Sequence, residues 1–97
     1  MPEPGAALPA ADARPRLGPG VRLRYDERRQ MWLLLAPERV IETEGPAHDI
    51  LSRCDGRHSV AEIVDELAQT YEADRETVAQ DVNDLLAELA GMRLVIA

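Results

Sequence analysis

The amino-acid sequence predicts an α+β fold, a three-stranded antiparallel meander followed by three helices in a layout like a winged helix-turn-helix. Three observations predict it. Val21, Leu23 and Tyr25 alternate with Arg22, Arg24 and Asp26, the period-2 pattern of a half-buried strand. The apolar run 31–35 is too short for a helix before Pro37, and no helix-length segment separates it from residues 39–42, so the strands join as a meander. From Ala47 onward the apolar period lengthens to that of helices.

Each element follows in order. The first strand covers 21–25 and ends in the polar turn 26–29. The second covers 31–35. The corner Ala36-Pro37-Glu38 reverses the chain into the third, 39–42, leaving the second strand central and the others as edges. Thr43 is placed to cap the first helix, with Pro46 tolerated in its first turn. Ala47, Ile50, Leu51 and Cys54 form its apolar face, and Asp55-Gly56 stops it. Ser59 and Glu62 have capping-box spacing ahead of a second helix with the face Val60, Ile63, Val64, Leu67 and Tyr71. Asp74 caps the third, whose face is Val78, Val82, Leu85, Leu86 and Leu89, and Gly91 ends it. Residues 93–96 form a short apolar end, a strand or a packed tail.

One feature does not fit a two-layer domain. The second strand is apolar on both faces, Met31, Leu33 and Leu35 on one and Trp32 and Leu34 on the other. A meander packed on helices buries one face and wets the other. The second face needs a cover, and the candidates are the N-terminal tail, a mate in a homodimer or a binding partner.

The chain has 97 residues and one expected domain, 17–97. Residues 1–16 hold Pro2, Pro4, Pro9 and Pro15 among Ala and Gly, a composition that buries too little surface to offset its ordering entropy, so they read as a disordered tail. They lack the apolar h-region of a signal peptide, and no later stretch is long enough to span a membrane. The net charge of −7 argues against nucleic acid as partner. All eleven basic residues are Arg. Cys54 is the sole cysteine, which excludes an internal disulfide and suits a reducing cytoplasm.

Little chemistry is on offer. His48, Cys54 and His58 are the soft metal-ligand candidates, too few and too widely spaced for a structural zinc site. Ser52, Ser59 and Cys54 are possible nucleophiles, but no nucleophile-elbow or phosphate-loop pattern surrounds them. The carboxylates Glu62, Asp65, Glu66 and Glu72 read as a solvated helix face. No enzymatic activity, cofactor or metal is therefore expected. A DNA-reading third helix would present Arg75 among Glu76, Asp81, Asp84 and Glu88, and such a face repels phosphates.

The third strand offers more. An edge strand carries a row of unpaired backbone donors and acceptors, which natural proteins usually protect. Along Arg39, Val40, Ile41, Glu42 and Thr43 an extended peptide could add as a fourth strand, backbone bonds giving affinity and side-chain pockets specificity. A charged edge that binds nothing is the plain alternative.

Residues 33–40 (LLLAPERV), Ala47 with Ile50-Leu51, Cys54-Asp55-Gly56, Val60, Ile63 and Leu67, and Asp81-Val82 with Leu86 and Leu89 resemble, in this order and spacing, the pyrroloquinoline quinone (PQQ) biosynthesis protein D family, PqqD. The resemblance runs from about residue 17 to the C-terminus. The long Pro/Ala segment and Gly45-Pro46 depart from it. It implies a non-catalytic peptide chaperone that binds the precursor peptide PqqA and presents it to the radical S-adenosylmethionine enzyme PqqE. Related domains are leader-peptide recognition elements in other pathways that modify ribosomal peptides, which is the alternative reading. Carried onto this chain, the peptide would pair along 39–43 and face Asp81, Asp84, Leu85 and Glu88 on the third helix.

Overall fold

The computed structural model of the chain describes residues 10–96. Its elements are β1 (Arg16–Leu17), β2 (Arg22–Asp26), β3 (Met31–Ala36), β4 (Arg39–Glu42), α1 (Ala47–Ser52), α2 (Val60–Thr70), α3 (Arg75–Gly91) and β5 (Val95–Ile96). The meander is as the alternation predicts: β2, β3 and β4 form an antiparallel sheet with β3 in the centre. β1 and β5 form a separate antiparallel pair, Leu17 opposite Val95.

The register sorts the two apolar faces of β3. Leu34 lies opposite Leu23 on one side and Ile41 on the other. This row meets the helices, and Leu34 is fully buried among Ile50, Leu51, Ile63, Leu67, Val82, Leu86 and Leu89. On the other face Leu33 lies between Arg24 and Glu42. Leu33 is nevertheless only 8% exposed. Its flanking partners are long side chains whose aliphatic stems can cover apolar surface while their charged ends stay wet. Among the described residues the cover expected from a tail or a mate is thus supplied at Leu33 from within the sheet. Val40 on the same face remains exposed.

α2 begins as its capping box predicts. Ser59 Oγ accepts from the Glu62 amide at 3.1 Å, and Glu62 accepts from the Ser59 amide at 2.8 Å. Such a cap contributes about 1 kcal/mol. The box leaves the first two helical amides, Val60 and Ala61, without partners. They donate to the carbonyls of Ala13 and Ala11, at 2.9 and 3.0 Å. Pro15 is buried, and its carbonyl accepts from the Gly56 amide at 3.0 Å.

These contacts correct the expected extent of the tail. Residues 1–9 lie outside the described part of the chain, but 11–16 are packed against α2 and the turn before it. Composition suggested otherwise because this segment brings few apolar side chains. Its backbone carbonyls make the hydrogen bonds, and the buried Pro15 ring and Ala13 add what apolar packing it has.

Thr43 also departs from expectation. It does not cap α1, which starts after Pro46 with no side-chain cap. Its hydroxyl and its amide both donate to the Trp32 carbonyl, at 2.8 and 3.1 Å. Gly45 has φ +57, and this left-handed residue with Pro46 turns the chain into α1, with four residues lying between the end of β4 and the helix. Tyr71, expected on the buried face of α2, is exposed at the helix end, where its hydroxyl donates to Asp49. α3 keeps its Asp74 cap, which accepts from the Thr77 amide at 3.2 Å, and it buries Val78, Val82, Leu86 and Leu89. No helix among the described residues is long and apolar enough to cross a membrane.

Candidate functional site

β4 is the open edge of the meander. Its inner partners alternate: Thr43 bonds back to Trp32, so by antiparallel alternation Ile41 and Arg39 also bond to β3. The amides and carbonyls of Val40 and Glu42 therefore point away from the sheet. They form two outward donor-acceptor pairs, spaced for an added strand.

α3 runs antiparallel to this edge. Near its C-terminal end, Arg39 Nη1 lies 3.2 Å from Met92 Sδ. Further back, Leu85, Glu88 and Leu89 face Ile41, Glu42 and Thr43 across a groove of about 230 Å³ floored by Leu34 and Leu51. Leu85, Glu88 and Met92 fall on one helical stripe and line the groove along the edge.

The expected site residues separate on this geometry. Ile41, Glu42, Thr43, Leu85 and Glu88 line the groove. Arg39 spans it at one end. Val40 contributes outward backbone, while its side chain is exposed on the far face of the sheet. Asp81 lies beyond the groove on the wall of a neighbouring cavity. Asp84 lines neither and instead accepts from the Gln80 side chain at 2.9 Å. Sequence reasoning missed Leu34, Glu44, Ala47, Leu51, Leu89 and Met92. Met92 had a usable signal, being four residues beyond Glu88. The floor residues had none, because in sequence they read only as core.

The candidate ligands Cys54 and His58 have structural partners. Cys54 is buried, its Sγ lies 3.4 Å from the Ile50 carbonyl, and burial pushes its thiol up to about 12. A thiol held protonated is a poor nucleophile and a poor metal ligand. His58 Nδ1 lies 3.0 Å from Asp55, and its Nε2 lies 3.4 Å from Glu66. The hydrogen bond to Asp55 raises the imidazole above its ordinary value and lowers Asp55 to about 2. Asp55 also accepts from the amides of Arg57 and His58, at 2.8 and 3.2 Å, so it closes the turn ahead of α2. No group of three or more potential metal ligands occurs among the described residues. On α3 the cation Arg75 is held by Asp65 at 2.6 Å, leaving the exposed helix face acidic.

The family model for coenzyme PQQ synthesis protein D (PqqD) matches residues 31–95, most of the chain. The chain belongs to the PqqD family. A relative from Rhodopseudomonas palustris strain BisB5, named PqqA binding protein, is 47% identical over 78 residues, covering 80% of this chain and 76% of that one. One of the same name from Xanthomonas oryzae pv. oryzae strain PXO99A is 45% identical over 84 residues, covering 87% and 91%. The solution structure of the PqqD part of Methylobacterium extorquens PqqCD is similar with a TM-score of 0.81 at 41% identity, covering 96% of this chain and 98% of that one. That domain is described as a functional, stand-alone recognition element for ribosomally synthesised and post-translationally modified peptides. The crystal structure of PqqD from Xanthomonas campestris is similar with a TM-score of 0.59 at 39% identity, covering 93% and 100%. The PqqD sheet followed by three helices is thus shared along nearly the whole length.

Proposed function

We propose that this PqqD chain is a peptide chaperone of PQQ biosynthesis that binds the precursor PqqA by strand addition to β4 and presents it to PqqE. The observation that carries the reading is the outward backbone of Val40 and Glu42 facing a groove walled by α3. Family membership and the name borne by its relatives supply the identity of the peptide.

The mechanism needs no catalytic group from this chain. A short precursor offers an enzyme few contacts. A carrier that holds the peptide and also engages the enzyme makes the second encounter effectively intramolecular, at effective concentrations reaching the millimolar range. Backbone pairing tolerates changes to the peptide's side chains, so substrate and product are both held, and a moderate affinity lets the product leave.

The test is an amide-resolved NMR titration of the labelled protein with synthetic PqqA. Perturbations are expected at residues 39–43 and along the 85–92 face of α3. Shifts confined to β2 or to the α1–α2 turn would sink the groove assignment. Adding PqqE to the loaded protein should produce a ternary complex in size-resolved light scattering, and displacement of the peptide would refute presentation.

A further inference from the structure

A second cavity lies beyond the groove beside β4, lined in part by the neighbours in sequence of groove residues, Gly45 next to Glu44 and Pro46 next to Ala47. Past Thr43 the chain turns through Gly45 and Pro46, and the stripe on α3 continues from Leu85 back to Asp81 and Thr77. There lies the cavity, of about 420 Å³. Its walls are Ile50 on α1, Leu67 on α2, and Val78 and Val82 on α3, all buried. Its exposed lining pairs the small Gly45, Ala73 and Thr77 with Pro46 and Tyr71, and a Cβ added at Gly45 would meet nothing within 4 Å. The volume falls within the range of small-molecule sites, about 300–1,000 Å³.

Two facts say what should occupy it. Outward backbone pairing on β4 ends at Glu42, because Thr43 bonds inward to Trp32, Gly45 has a left-handed φ and Pro46 has no amide hydrogen. A peptide leaving the edge can be recognised beyond that point only through side chains. The span also fits one chain. Thr77 to Met92 on α3 measures about 22 Å at 1.5 Å per residue. An extended peptide covers that length with about seven residues at roughly 3.3 Å each, and the β4 edge engages most of them. Two or three remain to reach the cavity.

We propose that the cavity between α1, α2 and α3 is a side-chain subsite of the same groove. It takes one bulky apolar residue of the bound peptide, adjacent to a cationic residue that meets Asp81. The inference rests on the strand-addition reading of β4. The walls supply carbon and no buried polar partner, which selects an apolar side chain and rejects a polar one by its desolvation cost. Asp81 stands exposed on the wall without an ion-pair partner among the described residues, and Glu44 lies in the turn alongside. Cations are therefore favoured at the rim, through an interaction that salt screens.

Calorimetric titration of synthetic PqqA into four proteins tests this: the unaltered chain, Thr77→Trp, Ala73→Trp and Val40→Pro. Both tryptophan variants place bulk at exposed positions of the cavity mouth. At least one of them that retains the parent melting temperature is expected to lose about tenfold or more in affinity, while the titration shifts at 39–43 persist. A PqqA variant with its bulky apolar residue beyond the paired segment changed to Ala should weaken binding to the parent equally. It should cost nothing further in the tryptophan variant, as coupled partners in a double-mutant cycle require. Unchanged affinity in both tryptophan variants, with Val40→Pro weakened, overturns the subsite and leaves the groove standing. Unchanged affinity in Val40→Pro overturns the strand-addition reading itself. Asp81→Asn should flatten the salt dependence of binding, and an unaltered salt dependence removes the cationic neighbour from the proposal.

Discussion

The carbonyl of Ala13 accepts from the amide of Val60 at 2.9 Å, across more than forty residues of sequence. That bond and its neighbour, Ala61 to Ala11, complete the N-terminus of α2 where the Ser59–Glu62 box leaves off. The segment before β1 is thus part of the helix's capping apparatus.

Deleting residues 1–15 is accordingly expected to destabilise the domain by roughly 2–4 kcal/mol, from three lost backbone bonds, those to Val60, Ala61 and Gly56, and the buried ring of Pro15. Deleting residues 1–9 should leave those contacts in place. Urea unfolding of both truncations checks this. Equal midpoints for the two would mean that the 11–15 contacts contribute nothing.

Replacing Val40 by Pro removes an amide that faces outward, whereas replacing Ile41 by Pro removes one that bonds to β3. Val40→Pro should therefore weaken PqqA binding by roughly tenfold or more with a modest loss of stability, because one edge donor is gone. Ile41→Pro should lower stability more, and Val40→Ala should change binding little. The comparison is made by calorimetry beside thermal melts. Equal binding by the proline and alanine variants at Val40 would remove the edge from the mechanism.

How far this could be read in the sequence depends on how local each cause is. The helices were legible because their caps and apolar stripes lie within one or two turns: Ser59 with Glu62, Asp74 with Thr77. The β2–β3–β4 order followed from short connections. The pairing of Leu17 with Val95 was not legible, because the apolar end 93–96 reads as a strand or a packed tail but nothing local marks its two-residue partner at Arg16–Leu17. The same holds for the carbonyls of Ala11 and Ala13, which any residue would supply. In the groove, Ile41, Thr43, Leu85 and Glu88 could be named from edge and stripe. Asp84 was not separated from them, although its i,i+4 spacing from Gln80 already offered a partner within the helix. The covering of Leu33 needed the register, which sets Arg24 and Glu42 opposite it.

The turn at Asp55 should make stability respond to pH in two windows. Asp55 is lowered from 3.8 to about 2, chiefly by its bond to His58. Its contribution is fully present above the unfolded value and is lost as pH falls through about 2. His58 is raised above 6.5 by the same bond. Its contribution is fully present below 6.5 and is lost as pH rises through the raised folded value. Both groups are exposed, so the effects are small. Side-chain NMR titration should find His58 above 6.5 in the parent and shifted back towards it in Asp55→Asn. An unmoved His58 in that variant would assign its shift to Glu66 instead.

Cys54 gives a reporter for opening of the core that lies away from β4. Its thiol is buried beside the Ile50 carbonyl and pushed up to about 12, so at neutral pH the reactive thiolate is almost absent in the folded protein. Alkylation by iodoacetamide at pH 8 should be slower than in denaturant by several orders of magnitude, because reaction waits for opening of the α1–α2 packing. Saturating PqqA should slow it further by the factor that binding stabilises the folded state, if labelling proceeds through global unfolding. Fast labelling of the folded chain would contradict the burial of Cys54. Slow labelling that PqqA leaves unchanged would mean that the α1–α2 packing opens locally, independently of the groove between β4 and α3.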